Sequence, residues 1–347
     1  MKIVVDDKIP YIKETITKIC DQVVFLDGAA IMPEDVRDAD ALIVRTRTIC
    51  DEHLLKDSKV SFIATATIGF DHLDVDYLTK ANIAWTNCPG CNASSVAQYV
   101  HSCLLLLETE KNIDFSSTTI GIVGAGHVGK AVFNAIKPLG VKILLNDPPL
   151  KESLEKEGKP ICDFVSLKEL QEQCDIISFH TPLTKNGKYP TFHLADETFF
   201  KEVKKKPIII NTSRGGVVDN YALTEAIKKG LIKEAIIDTW ENEPSILPEL
   251  LQLVYIGTPH IAGYSADGKA NATRMSLEAL CQHFQISAEL DIHPPHLILP
   301  DDFPSWESKE KSLFLYNPHK DSIKLKNAPS QFEEHRGNYP LRRESFD

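Results

Sequence analysis

Short apolar runs rich in Val and Ile recur along the first third of the chain and alternate with amphipathic stretches: KIVV from Lys2, VVFL from Val23, ALIV from Ala41, SFIATA from Ser61 and NIAW from Asn82. Runs of this length separated by helical periodicity predict βαβ units around a mostly parallel sheet. The stretch from Ala93 to Asn112 breaks the rhythm. It carries no Gly or Pro, is preceded by Asn92 and opened by Ser94 and Ser95, and predicts one long helix able to bridge two domains. A second alternating series follows: TIGIV, VKILL, DIISF, PIIIN and EAIID, with Gly230 closing one of the intervening helices. The expectation is two doubly wound parallel-sheet α/β domains. After about Leu290 the chain becomes proline-rich, loses its long apolar runs and gathers Arg336, Arg342 and Arg343, so this tail is expected to stand apart from both cores as a short accessory piece.

Length agrees with that count, since 347 residues suggest two domains and a short third piece. Hydrophobic residues at 43% and charged residues at 25% are ordinary for soluble globular proteins. The net charge of -11 excludes a footprint for nonspecific nucleic-acid binding, so any anionic ligand must be held by local donors. The N-terminus MKIVVDDKIP lacks the apolar core of a secretory signal, and no stretch approaches the length of a membrane span, which predicts a soluble, cytoplasmic protein. Cysteines 20, 50, 88, 91, 103, 162, 174 and 281 are scattered and read as reduced thiols; Cys88 and Cys91 form a CPGC turn without the partners a zinc site needs.

The strongest chemical signal is TIGIVGAGHVGKAVFNAIKPLGVKILLND. Gly124, Gly126 and Gly129 fit GxGxxG directly after a predicted strand and at the opening of a predicted helix, with His127 and Val128 inside the same turn. The first glycine permits the tight turn, the second lets a pyrophosphate approach the backbone, and the third lets the helix pack on the strand. Asp147 ends the next strand, where an acid accepts from an adenosine ribose and repels a 2′-phosphate. NAD is therefore favoured over NADP.

Three further side chains stand at predicted strand ends: Arg214 after IIINTS, Glu243 in ENEP and His260 in TPHIAGY. A neutral imidazole can take a hydroxyl proton, a carboxylate on its other nitrogen fixes the tautomer, and a guanidinium fork can grip a carboxylate. Each alone is as readily a surface charge or a turn residue. Two other classes stay open: a nucleotide-sensing binding protein, and a methyltransferase sharing GxGxxG.

Together GAGHVG, Asp147, NTSRGGVVD, DTWENEP and TPHIAGYS resemble the D-isomer-specific 2-hydroxyacid dehydrogenases from the first strand to about residue 290. The resemblance implies a flavodoxin-like substrate domain at 1–92 and 259–290, split by a Rossmann NAD domain at 93–258, with residues 291–347 forming a small C-terminal dimerisation segment of a homodimer. It implies catalytic Arg214, Glu243 and His260. It also implies cofactor contacts at Asp147, Thr181, Thr212, Ser213, Arg214, Asp238 and Gly263, and substrate contacts at Thr46, Thr67 and Tyr264. Arg45 and Arg47, with Thr46, Thr65 and Thr67 nearby, make a plausible cradle for a phosphate and a polyol, pointing to a phosphorylated hydroxy acid as the small-molecule partner. The phosphoglycerate and glyoxylate types of the same family remain alternatives.

Overall fold

The computed structural model describes residues 1–161 and 163–346, and the chain divides into two compact units. The first, Met1–Asn92 with Ser265–Leu297, holds β1 (Lys2–Asp6), β2 (Gln22–Leu26), β3 (Ala41–Val44), β4 (Phe62–Thr65) and β5 (Ala84–Thr86). These form one parallel sheet in the order β2-β1-β3-β4-β5, the flavodoxin-like order. A parallel sheet is covered on both faces, which is why β3 and β4 are apolar at nearly every position and wholly buried. The edge strands β2 and β5 are the less buried ones.

The second unit, 93–264 with 298–346, holds β6 (Thr119–Val123), β7 (Lys142–Asn146), β8 (Ile176–Phe179), β9 (Ile208–Asn211), β10 (Glu234–Ile237) and β11 (Ile256–Gly257). Its parallel order is β11-β10-β9-β8-β6-β7. Outside β7, among the described residues, the chain pairs through one bridge, Leu145 to Phe164. Strand order reverses between β6 and β8, so the ligand crevice of this open sheet is expected at their carboxyl ends. The long helix is present as Ala93–Lys111 and its buried side is part of the core under β6.

Two expected boundaries move. The second crossing falls after Tyr264 and not at residue 259, because the fully sequestered carboxylate of Asp238 holds the backbone of Ile261 and Ala262. The tail is not a separate piece. Ile292 is 1% exposed within the first unit's core, whereas Leu325 and Phe332 belong to the core of the second.

Arg342 makes the tightest attachment. Its Nε donates to Gln98 Oε1, Nη1 to the carbonyls of Ile261 and Tyr264, and Nη2 to those of Ser95 and Ala262, while Cζ lies 4.0 Å from the Tyr316 ring centre. A guanidinium has five N–H donors. All are occupied, which allows the side chain to be only 8% exposed.

The seven described cysteines are free and buried; Cys162 lies outside the described residues. Burial pushes the Cys91 thiol up to about 12, and Cys88 contacts the Thr65 and Ala272 carbonyls. The CPGC segment is thus an inert structural turn.

Candidate active site

At the reversal point β6 runs into Gly124, whose φ of 89° is open to glycine and strained for other residues. A Cβ there would lie 2.7 Å from the His180 carbonyl, and a Cβ on Gly129 would lie 1.9 Å from the Gly124 carbonyl. Gly126 faces open space; with exposed His127 and half-buried Val128 it opens the helix His127–Ile136. Asp147 closes β7 with one carboxylate oxygen on Ala125 N–H and the other on Leu150 N–H, both at 2.9 Å. Each oxygen keeps a second lone pair for a ribose hydroxyl. The closed helix–strand contact, the uncovered glycine and the fixed acid fit a dinucleotide.

Across the same crevice, His180 follows β8. Its Nε2 meets Ser178 Oγ at 2.8 Å and its Nδ1 meets Thr212 Oγ1 at 3.1 Å; burial pushes its pKa down to about 3. The neutral ring fixes the Thr212 loop, a role the HTP sequence signals only through one histidine at a strand end. The Thr181 hydroxyl is buried with no partner, a donor available to a ligand. Ser213 donates through both N–H and Oγ to Asn211 Oδ1, and Arg214 projects outward with one bond, to the Ser213 carbonyl. Gly215 is obligatory in a different way: a Cβ would lie 1.8 Å from the Trp240 carbonyl. Its absence lets the Arg214 loop lie against the loop that carries Glu243.

Glu243 and His260, separated by seventeen positions, meet at 2.7 Å between Oε2 and Nδ1. Oε1 accepts from Trp240 N–H at 2.8 Å. An ionised carboxylate only accepts, so Nδ1 bears the ring proton and Nε2 presents a lone pair. Burial pushes the Glu243 carboxyl up, but the His260 hydrogen bond and charge, with Trp240 N–H, prevail and hold it below the usual range. His260 has φ 57°, unfavourable for a side chain with a Cβ. Its N–H bonds the carbonyls of Asp238 and Thr258, and around it Asp238 accepts from Thr258 Oγ1, Ile261 N–H and Ala262 N–H. Asp238 is 1% exposed, so its visible work is to hold this loop. Gly263 and Tyr264 complete the loop, both half-buried.

In the first unit, the expected phosphate cradle divides. Arg45 turns its fork inward, Nε to Asp6 Oδ2 at 3.0 Å and Nη2 to Asp6 Oδ1 at 3.2 Å. Asp6 is fully buried, and a buried carboxylate captures the nearest cation; the pair takes two of the five guanidinium N–H donors of Arg45, whose side chain stays 28% exposed. Thr46 and Arg47 are exposed at the same strand end. Thr67 Oγ1 donates to the Gly69 carbonyl, so Thr65 must donate to Thr67 at 2.7 Å and accept from His72 Nε2–H at 3.0 Å. Thr67 then keeps one lone pair for a hydroxyl donor.

The profile of the D-isomer specific 2-hydroxyacid dehydrogenase NAD binding domain matches residues 106–262. Erythronate-4-phosphate dehydrogenase of Bacteroides fragilis is 53% identical over 99% of this chain and 97% of its own; that of Escherichia coli O157:H7 is 38% identical over 99% and 92%. A D-lactate dehydrogenase from Aquifex aeolicus, complexed with NAD and lactic acid, superposes with a TM-score of 0.64 at 24% identity over 82% of this chain and 96% of that one. A D-2-hydroxyisocaproate dehydrogenase reaches 0.67 at 22% identity over 82% and 97%. Two parallel-sheet units, a dinucleotide turn and a carboxylate–imidazole pair accord with these likenesses. The chain belongs to the erythronate-4-phosphate dehydrogenases, NAD-dependent members of the D-isomer-specific 2-hydroxyacid dehydrogenase family.

Proposed function

We propose that the protein oxidises the 2-hydroxyl of 4-phospho-D-erythronate to (R)-3-hydroxy-2-oxo-4-phosphooxybutanoate, a step of pyridoxal 5′-phosphate biosynthesis. The observation that carries the reading is the 2.7 Å Glu243–His260 pair, in which the carboxylate takes Nδ1–H and leaves the Nε2 lone pair for a proton. His260 accepts the hydroxyl proton, and Glu243 keeps the tautomer and stabilises the imidazolium that forms. Arg214, exposed and singly bonded, grips the substrate carboxylate in a bidentate fork. Gly124 to Gly129, Asp147, Thr181, Thr212 and Ser213 hold the dinucleotide, with Asp238 and Gly263 shaping the loop beside them. Bound NAD supplies the hydride acceptor. Arg45, Thr46 and Arg47 take the phosphate, Thr67 a substrate hydroxyl, and Tyr264 the substrate on the His260 loop. We further place the enzyme in the cytoplasm as a homodimer; among the described residues no helix is long and apolar enough to cross a membrane.

The test follows NADH absorbance with 4-phosphoerythronate, D-3-phosphoglycerate, D-lactate and, in reverse, glyoxylate. Preference for any of the last three overturns the substrate assignment, and NAD binding without turnover overturns the enzyme assignment. His260→Ala is expected to lose at least about 100-fold in rate with its fold intact.

A further inference from the structure

One cation beside the Glu243–His260 pair has no part in the assignments above. Arg336 lies in the helix Phe332–Gly337, fastened to the second unit by Phe332, which is 1% exposed. Its Nη1 stands 4.0 Å from Glu243 Oε2, the oxygen that also accepts from His260 Nδ1. Its Cζ lies 5.9 Å from the centre of the Tyr264 ring. Nε is buried with no hydrogen-bond partner, a costly arrangement that calls for a reason.

We propose that Arg336 is a positioning residue of the dyad, drawing part of the Glu243 charge away from His260 so that the imidazolium gives up its proton readily after each oxidation. The inference rests on the reading of His260 as proton acceptor. At 4.0 Å the contact is too long for a hydrogen bond, so Arg336 leaves the oxygen to Nδ1 and acts through its field. Among the described residues, the charged and titratable groups around the pair are Asp238 beneath the loop, Tyr264 on it and hydrogen-bonded to Arg336, Arg336 and its neighbour Glu333 on the tail helix, Arg214 on the loop against the Glu243 loop, and Arg342 beyond. Arg342 is saturated by Gln98 and four carbonyls. Among the described residues, Arg336 is the cation paired with the carboxylate. A carboxylate without such a neighbour would hold the imidazolium proton more tightly and slow its return to solvent. The five bonds of Arg342 keep the segment bearing Arg336 in register with the catalytic loop.

The experiment measures kcat/KM against pH for 4-phosphoerythronate oxidation by wild type, R336Q, R336K and H260N, with thermal unfolding and NADH titration as controls. In R336Q the acid limb is expected to move up by about half a pH unit, with NADH affinity unchanged. R336K, which keeps the charge, is expected to retain the wild-type limb, and it tests the idea even if R336Q does not fold. An unshifted limb in R336Q overturns the proposal, as does an R336K limb displaced from wild type. A rise of about tenfold in KM for the hydroxy acid with the limb in place also overturns it, making Arg336 a substrate anchor. Activity retained by H260N would instead overturn the dyad reading; an inactive H260N with an unshifted R336Q defeats the Arg336 inference alone.

Discussion

Replacing Glu243 with Gln tests the dyad with almost no change of shape. The carboxylate now accepts from two donors, Trp240 N–H at 2.8 Å and His260 Nδ1–H at 2.7 Å. An amide has one acceptor oxygen, so one donor must face the new NH2 group. If the oxygen stays on Trp240, the NH2 meets Nδ1 and stabilises the tautomer with hydrogen on Nε2, which cannot take a proton. If it stays on His260, two N–H donors confront each other at a cost of about 1–3 kcal/mol. In both cases the negative charge opposite the developing imidazolium is gone. At about 4 Å between charge centres and an effective dielectric of roughly 20–40, that charge is worth about 2–4 kcal/mol. Side-chain exposures of 17% and 27% place the pair away from bulk water. The expected loss in kcat is about 30- to 1,000-fold, with NADH affinity preserved. Steady-state kinetics with a parallel fluorescence titration measures both. A Gln variant within about threefold of wild type would refute the general-base role of the pair.

Three other outcomes are expected. His180 must stay neutral in the folded protein, its pKa pushed down to about 3 from 6.5; the unfolded chain binds more protons over that window, so stability falls as pH drops through it. Urea unfolding should show wild type losing about 1–2 kcal/mol more than His180→Gln between about pH 7.5 and pH 5, and equal losses would exclude the buried neutral ring. Gly129→Ala would put a Cβ 1.9 Å from the Gly124 carbonyl, and NADH titration should show affinity down at least about 100-fold; binding within about threefold would show that the turn can relax. Arg45→Met strands the buried Asp6 carboxylate and should cost about 2–4 kcal/mol of stability, whereas Arg47→Met leaves stability unchanged and weakens use of the phosphorylated substrate. A reversed pattern would refute the assignment of the structural ion pair to Arg45.

Both sheets were legible because parallel strands buried on two faces need unbroken apolar runs, as ALIV and IIIN show. The dinucleotide turn was legible because its glycines answer steric contacts a few residues away. Less visible were partners chosen by tertiary approach. Arg45 and Arg47 look alike in sequence, yet Asp6 on the neighbouring strand end takes only the first. The docked tail was hidden for a similar reason: Arg342 binds mostly backbone carbonyls, which any residue supplies, so the binding partners leave no mark in the sequence. Loops also decide the second domain crossing. Asp238 captures Ile261 and Ala262 N–H, and nothing in TPHIAGY announces it.

The Arg342 attachment imposes an order on biosynthesis. Its carbonyl partners Ile261, Ala262 and Tyr264 leave the ribosome 81, 80 and 78 residues earlier. At about 5–20 residues per second, the loop bearing His260 waits roughly 4–16 s for the side chain that fastens it. The strands of the second sheet can assemble in that interval, but the loop around His260 reaches its final form only once Arg342 has emerged. A nascent chain would therefore acquire affinity for the dinucleotide before it acquires turnover.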